Sequence, residues 1–124
     1  PAAFPALMRA QKVQKRAAKF GYDFRDAAEA GGKVKEELEE LLAAVKEGDK
    51  AHISEEAGDL LFSAANVARL AGADGEMSLK ESTEKFVRRF CATEALILAD
   101  GKKMEELDAE TLWKFYEEAK RRDG

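Results

Sequence analysis

The sequence predicts an all-α fold, a helical bundle of four to five helices. Apolar residues recur three or four positions apart along most of the chain, no run alternates apolar and polar residues as a strand does, and glycines fall where the periodic runs stop. With 124 residues, 45% of them hydrophobic and 37% charged, the chain is long enough to bury a core. No linker or low-complexity segment interrupts it, so we expect one domain, residues 1–124.

The first three helices are predicted from their apolar periodicity. The first spans residues 5–20, ahead of a glycine that is typical of a helix C-terminus. Residues 22–32 are predicted as a connector with room for a short helical turn. A second helix follows over residues 34–47 and ends at Gly48, and a third carries its apolar face over residues 53–68.

Two further helices are predicted from capping residues. The segment Ser78–Glu81 has the spacing of a capping box, which predicts the start of a fourth helix that runs to about Leu98. Asp108 is predicted to cap a fifth helix that ends near Arg122. Phe62 and Leu70 lie away from the main apolar face of the third helix, so that helix needs a second covering layer.

Charge and composition exclude several classes of function. The formal net charge of −4 gives no overall basic field, so we expect no nucleic-acid polymer as a partner. No apolar run approaches the roughly 18 residues of a membrane span, and no signal-peptide pattern opens the sequence, so we expect no membrane association and a cytoplasmic location. The single cysteine, Cys91, is interpreted as a packing residue.

One acidic pattern occurs twice. Residues 34–42 read VKEELEELL, and residues 53–61, nineteen positions later, read ISEEAGDLL. Each copy places two acids three residues apart at the edge of the apolar face of its helix. The acids of this repeat are Glu37 and Glu40 in the first copy, and Glu56 and Asp59 in the second.

The short connection at Gly48 predicts that the two helices are antiparallel neighbours. Glu37 and Asp59 then lie eleven residues before and after position 48, and Glu40 and Glu56 lie eight residues before and after it. Each pair is therefore level across the hairpin. Because the two helices are related by a local two-fold axis, all four carboxylates are expected on the same side.

Four convergent carboxylates predict a cation site. Crowded like charges repel one another, and a bound cation offsets that cost. Oxygen ligands favour a hard ion, and the chain has one cysteine and one histidine, so Mg²⁺, or else Mn²⁺, is expected rather than zinc. A solvated acidic face is the alternative interpretation, and it is adopted for the other glutamates of the repeat. His52 is interpreted as a surface residue near the start of its helix.

These residues resemble the MazG family of nucleoside triphosphate pyrophosphohydrolases. The family signature is Glu-Glu-x-x-Glu followed after a spacer by Glu-x-x-Asp, and the matching positions are 36–40 and 56–59. The segments PALMRAQKVQKRAAKFGYDF, EKFVRRF and YEEAK extend the similarity, which is to the catalytic C-terminal domain of two-domain members. The resemblance implies an all-α fold, a homodimer, Mg²⁺, and hydrolysis of a nucleoside triphosphate between the α and β phosphates to NMP and pyrophosphate. The similarity to a C-terminal domain suggests that an N-terminal domain has been cut away; the alternative, left open by the sequence, is a natural chain that begins at Pro1 after removal of an initiator methionine.

The resemblance also implies roles for individual residues. Glu37, Glu40, Glu56 and Asp59 match the metal ligands, with Glu37 or Glu40 as the base that takes a proton from the attacking water. The positions that match contacts to the nucleotide are Lys85 and Arg89 on the fourth helix, and Tyr116 and Lys120 on the last one. Tyr116 stands where the family often has tryptophan, which leaves the strength of base stacking open. Asn66, two turns after Asp59, is either a contact to sugar or phosphate or a surface residue.

Two classes of function remain. The first is an Mg²⁺-dependent nucleotide pyrophosphohydrolase that acts on ordinary or damaged nucleotides. A narrower dNTP or phosphoribosyl-ATP hydrolase fits the flanking segments less well. The second is a non-catalytic helical module whose acids bind Mg²⁺ or a basic partner. Retention of all four acids together with Lys85 and Arg89 favours the enzyme, because a module has no use for groups that hold a triphosphate.

Overall fold

The computed structural model describes residues 4–124 and confirms the all-α fold. Within that range it contains no strand. Two compact units, Pro1–Ser78 and Leu79–Gly124, are each described by themselves. The single domain 1–124 stays a prediction, and its first three residues lie outside the described range. The helices are α1 (Ala6–Ala18), α2 (Ala27–Glu47), α3 (Lys50–Leu70), α4 (Gly75–Ala99) and α5 (Ala109–Asp123), with a 3₁₀ turn at Met104–Glu106.

The α2–α3 hairpin forms as predicted. Gly48 ends α2 with φ +77°, a left-handed conformation that glycine adopts without a steric penalty. Asp49 then caps α3, because its carboxylate accepts hydrogen bonds from the backbone N–H groups of Ala51 and His52. A connection of two residues leaves the helices no alternative to antiparallel packing. Ala44 on α2 and Ala65 on α3 are buried, and their small side chains allow close packing.

Helix α2 begins earlier than the sequence pattern predicts. The segment interpreted as a connector contains the first turns of α2, because the carboxylate of Asp26 accepts a hydrogen bond from the backbone N–H of Glu29 at 2.9 Å. Glu29 in turn accepts one from the backbone N–H of Arg25 at 3.0 Å. These caps satisfy donors at the helix start, and α2 continues through Gly31 and Gly32 despite their low helix propensity.

Gly32→Ala is expected to stabilise the protein by about 0.5–1 kcal/mol. Position 32 is helical, and an added Cβ meets no atom within 4 Å. Gly48→Ala is expected to have the opposite effect. The positive φ at Gly48 is unfavourable for a residue with a Cβ, so the added methyl group should lower the free energy of unfolding by about 1 kcal/mol. Urea denaturation of both variants tests the pair. Equal effects of the two substitutions would contradict the helical start of α2.

Helix α1 packs on α3 through two glutamine side chains. Gln14 is buried, and its Nε2 donates to the backbone carbonyl of Phe62 at 2.9 Å. Gln11 donates to the carbonyl of Ala65 at 2.9 Å and accepts from the backbone N–H of Gly75, also at 2.9 Å. These bonds fix α1 along α3 within the first unit.

The fourth helix does not start at the predicted capping box. It starts at Gly75, and the carboxylate of Asp74 accepts from the backbone N–H of Met77, so Ser78 lies inside the helix. The fifth helix is capped as predicted, by Asp108 accepting from the backbone N–H of Thr111 at 2.8 Å. In the second unit the buried side chains come from both helices: Thr93, Ile97 and Ala119. Across residues 4–124, every helix is too short or too polar to cross a membrane.

Candidate functional site

The α2–α3 hairpin brings three of the four predicted acids together. One carboxylate oxygen from each of Glu37, Glu56 and Asp59 lies within 4.8 Å of the other two. Glu37 and Glu56 are buried and Asp59 is exposed, so the group is open to solvent on one side. We call these three residues the acid cluster.

Glu40 lies outside the acid cluster and is exposed. It nevertheless interacts with two members of the cluster. The negative charge of Glu37 raises the pKa of Glu40, and desolvation and the neighbouring Glu56 act in the same direction. The hairpin therefore places all four acids near one another, with Glu40 and Asp59 exposed and Glu37 and Glu56 buried.

Each buried glutamate of the acid cluster has one oxygen held by a basic side chain. The ammonium of Lys33 lies 2.9 Å from Oε1 of Glu37, and Nε2 of His52 lies 3.3 Å from Oε1 of Glu56. The other oxygen of each, Oε2, is buried without a hydrogen-bond partner among the described residues. Lys33 is the main cause of a lowered pKa at Glu37, so this carboxyl group keeps its charge.

Sequence reasoning missed both basic residues. Lys33 was not singled out, and His52 was interpreted as a surface residue, whereas it is half-buried between Glu47 and Glu56. The carboxylate of Glu47 lies 3.2 Å from Nδ1 of His52 and is the main cause of a raised pKa of the imidazole. A signal was present, because Lys33 and His52 are nineteen positions apart, the interval of the acidic repeat.

The donor set of the acid cluster fits a hard divalent cation. A buried carboxylate oxygen without a partner is unfavourable, and two of them lie here beside a third carboxylate. A cation that accepts these oxygens as ligands removes that cost. Oxygen-only donors are typical of Mg²⁺, Mn²⁺ and Ca²⁺ sites. The acid cluster can therefore hold a metal ion.

Asn66 lies on α3 in the same unit and is half-buried. Its Oδ1 accepts a hydrogen bond from Nε of Arg69 at 2.9 Å, and Arg69 is itself anchored to Asp23 by a bond of 2.6 Å. The side chain is thus held in one orientation rather than free in solvent.

The other predicted contact residues belong to the second unit. Arg89 is half-buried, and its Nε donates to Asp123 at 3.0 Å, beside a two-bond pair between Arg88 and Asp123. The two arginines hold the pKa of Asp123 well below its usual value. Lys85 and Lys120 are exposed, and neither forms an ion pair within residues 4–124.

Tyr116 is part of an aromatic group in the second unit that the sequence reasoning did not identify. Its ring centroid lies 5.5 Å from that of Trp113 and 6.0 Å from that of Phe86, and Phe86 stacks on Phe90. Tryptophan is therefore present in this unit, three residues before the position where the family often has it. Together with the 3₁₀ turn, these rings line a largely apolar cavity of about 310 Å³.

Comparison with known proteins gives a match that includes the part of the chain with the acid cluster. The model of the MazG nucleotide pyrophosphohydrolase domain matches residues 29–92, just over half of the chain. A nucleoside triphosphate pyrophosphohydrolase of Escherichia coli K12 is 40% identical over 125 residues, covering 99% of this chain and 48% of that protein. A protein of Thermotoga maritima, named nucleoside triphosphate pyrophosphohydrolase/pyrophosphatase MazG, is 42% identical over 94% of this chain and 44% of its own length. The chain thus spans about half the length of these relatives.

Proposed function

The chain belongs to the MazG nucleotide pyrophosphohydrolase domain family, and on this premise we propose that it hydrolyses nucleoside triphosphates to NMP and pyrophosphate with Mg²⁺. One observation carries the proposal: two of the three residues of the acid cluster, Glu37 and Glu56, each have a buried carboxylate oxygen without a hydrogen-bond partner among the described residues. A solvated acidic face would not bury them. The relatives named as nucleoside triphosphate pyrophosphohydrolases support the same reaction.

Glu37, Glu56 and Asp59 would hold the ion, with Glu40 beside them. When bound, Mg²⁺ would neutralise carboxylate charge and polarise the phosphoryl group that is attacked. Glu40 is the better candidate for the base, because it is exposed and lies outside the acid cluster. One oxygen of Glu37 is engaged by Lys33, and the other would be a ligand of the ion. Hydrolysis by water requires no covalent nucleophile from the chain.

The basic residues of the second unit are proposed to bind the triphosphate. Asp123 engages only Nε of Arg89, so the terminal nitrogens of that guanidinium remain as donors for phosphate oxygens. Lys85 lies one turn before Arg89 on α4, which suits contact with the same phosphate group. Lys120 and Tyr116 on α5 are proposed to contact the nucleotide.

A homodimer is proposed from exposed apolar surface in the first unit. Leu38, Leu42 and Val45 recur along one face of α2 and are 44–55% exposed. Leu61 and Phe62 on α3 are 67% and 48% exposed. Exposed large apolar side chains in this number are typical of an interface between copies. Sedimentation of the wild type beside a Leu42→Glu variant tests it, with a monomer expected for the variant.

The reaction is tested by measuring products from a panel of NTPs and dNTPs with Mg²⁺ or Mn²⁺. We expect NMP and pyrophosphate in equal amounts. Release of NDP and phosphate would contradict the proposed bond. Absence of turnover with every nucleotide and both metals would leave the alternative, a helical module whose acids bind a cation or a basic partner. The cytoplasmic location stays a prediction.

A further inference from the structure

A small cavity lies beside the acid cluster in the first unit. Its volume is about 180 Å³. Lys33 connects the two features, because it lines the cavity and also lies 2.9 Å from the carboxylate of Glu37. The residues that line this cavity are Phe24, Ala30, Lys33, Phe62, Ser63 and Asn66.

The cavity and the acid cluster both lie along the groove between α2 and α3. Lys33 and Ser63 lie fifteen residues before and after position 48, and Ala30 and Asn66 lie eighteen residues before and after it. These pairs are therefore level across the hairpin, in the register that places Glu37 level with Asp59. From Asp59 to Asn66 the helix advances two turns, about 10 Å. A molecule with its phosphates at the acid cluster can extend along the groove into the cavity.

The walls of the cavity suit a flat, mainly apolar group. Phe24 and Phe62 supply aromatic surface, and Ala30 is small and buried. Aromatic side chains stack on nucleobases with little regard to their identity. Discrimination between bases then depends on the few polar groups in the lining, as in most small-molecule sites.

The orientation of the Asn66 amide is fixed by Arg69. A guanidinium has only donors, so the Asn66 atom that faces Nε of Arg69 at 2.9 Å is the oxygen. Arg69 is fixed in turn by its 2.6 Å bond to Asp23. Because Oδ1 is turned toward this charged donor, we infer that the amide group offered to a ligand in the cavity is Nδ2, which only donates.

We propose that this cavity binds the base of the substrate and that Asn66 selects bases with a keto oxygen. Nδ2 of Asn66 donates to O4 of uracil or thymine, or to O6 of hypoxanthine or guanine. An amino group at the same position, as in cytosine or adenine, brings N–H against N–H and leaves both without partners. This inference rests on the proposed function and adds the class of substrate to it.

The test compares two pairs of substrates that differ at this group and in the proton on the adjacent ring nitrogen, UTP with CTP and ITP with ATP. For the wild type we expect kcat/KM to favour the keto member of each pair by about tenfold or more. Asn66→Asp replaces the amide donors with acceptors, so we expect the preference to fall below one. Asn66→Ser, whose hydroxyl both donates and accepts, is expected to bring the ratio close to one.

Tyr116→Phe is the control variant, and it should change both members of a pair equally. Circular dichroism shows whether each variant is folded. If Asn66→Asp is unfolded, Asn66→Ser alone tests the role of Asn66. If the wild type turns over nucleotides but the Asn66 variants leave the keto-to-amino ratios of kcat/KM unchanged, this inference is overturned and the proposed function stays intact. No turnover of any nucleotide would overturn both.

Discussion

Glu37→Gln and Glu56→Gln are each expected to lower kcat/KM for nucleotide hydrolysis by roughly 10³-fold, because each removes a charged ligand from the acid cluster. Pyrophosphate release from the best nucleotide of the panel measures the effect. A neutral amide offers the ion a weaker oxygen and leaves the remaining carboxylates to carry the metal alone.

Glu39→Gln is the matched control, because this substitution makes the same chemical change at an exposed position of α2. It is expected to retain activity. In the absence of metal, Glu37→Gln should move the melting temperature by only a few degrees, because loss of the Lys33 ion pair is offset by relief of repulsion with Glu40. A fall in activity that merely followed unfolding would contradict a role for Glu37 in the reaction.

Addition of Mg²⁺ or Mn²⁺ is expected to raise the melting temperature of the nucleotide-free protein substantially. An ion that binds only the folded chain at a hundred times its Kd stabilises it by about 2.7 kcal/mol. For 124 residues this corresponds to roughly 10 °C. Differential scanning fluorimetry across a metal titration measures it, and chelation should reverse the shift.

The same titration of a Glu37→Gln, Glu56→Gln double variant supplies the control for metal binding elsewhere. The shift should be lost in this variant, because its acid cluster retains a single carboxylate. An equal shift in both proteins would place the ion outside the acid cluster. Ca²⁺, which prefers more ligands at longer distances, is expected to stabilise without supporting turnover.

The convergence of acids could be predicted from the sequence because a hairpin with a short connection has few degrees of freedom. Once Gly48 is fixed as the turn, helical periodicity decides which residues of α2 and α3 are level. The structure places Glu37, Glu56 and Asp59 together, as that register requires. The side-chain direction of Glu40 does not follow from register, since it depends on solvation and on repulsion from its neighbours.

Helix starts were less predictable, because several polar residues compete to cap the same turn. Asp74 and Ser78 can each cap the start of a helix, and the prediction that α4 starts at Ser78 was wrong, because Asp74 is the residue that accepts the hydrogen bond there. The roles of Lys33 and His52 were missed because a basic residue one turn before an acid is usually a solvated pair on a helix surface. Only burial of the glutamates distinguishes these two pairs from ordinary ones.

The nineteen-residue interval has a consequence for the polarity of the substrate. Lys33, Glu37 and Glu40 on one helix correspond to His52, Glu56 and Asp59 on the other. A set of charges with true two-fold symmetry would bind a phosphoanhydride equally well in either direction and could not distinguish its two ends. Within this set, a preference for one direction of the phosphoanhydride can come only from the two positions where the helices differ. These are lysine on α2 for histidine on α3, and glutamate on α2 for the shorter aspartate on α3. Exchange of Glu40 and Asp59 would then alter which end of the anhydride is favoured, with the net charge unchanged.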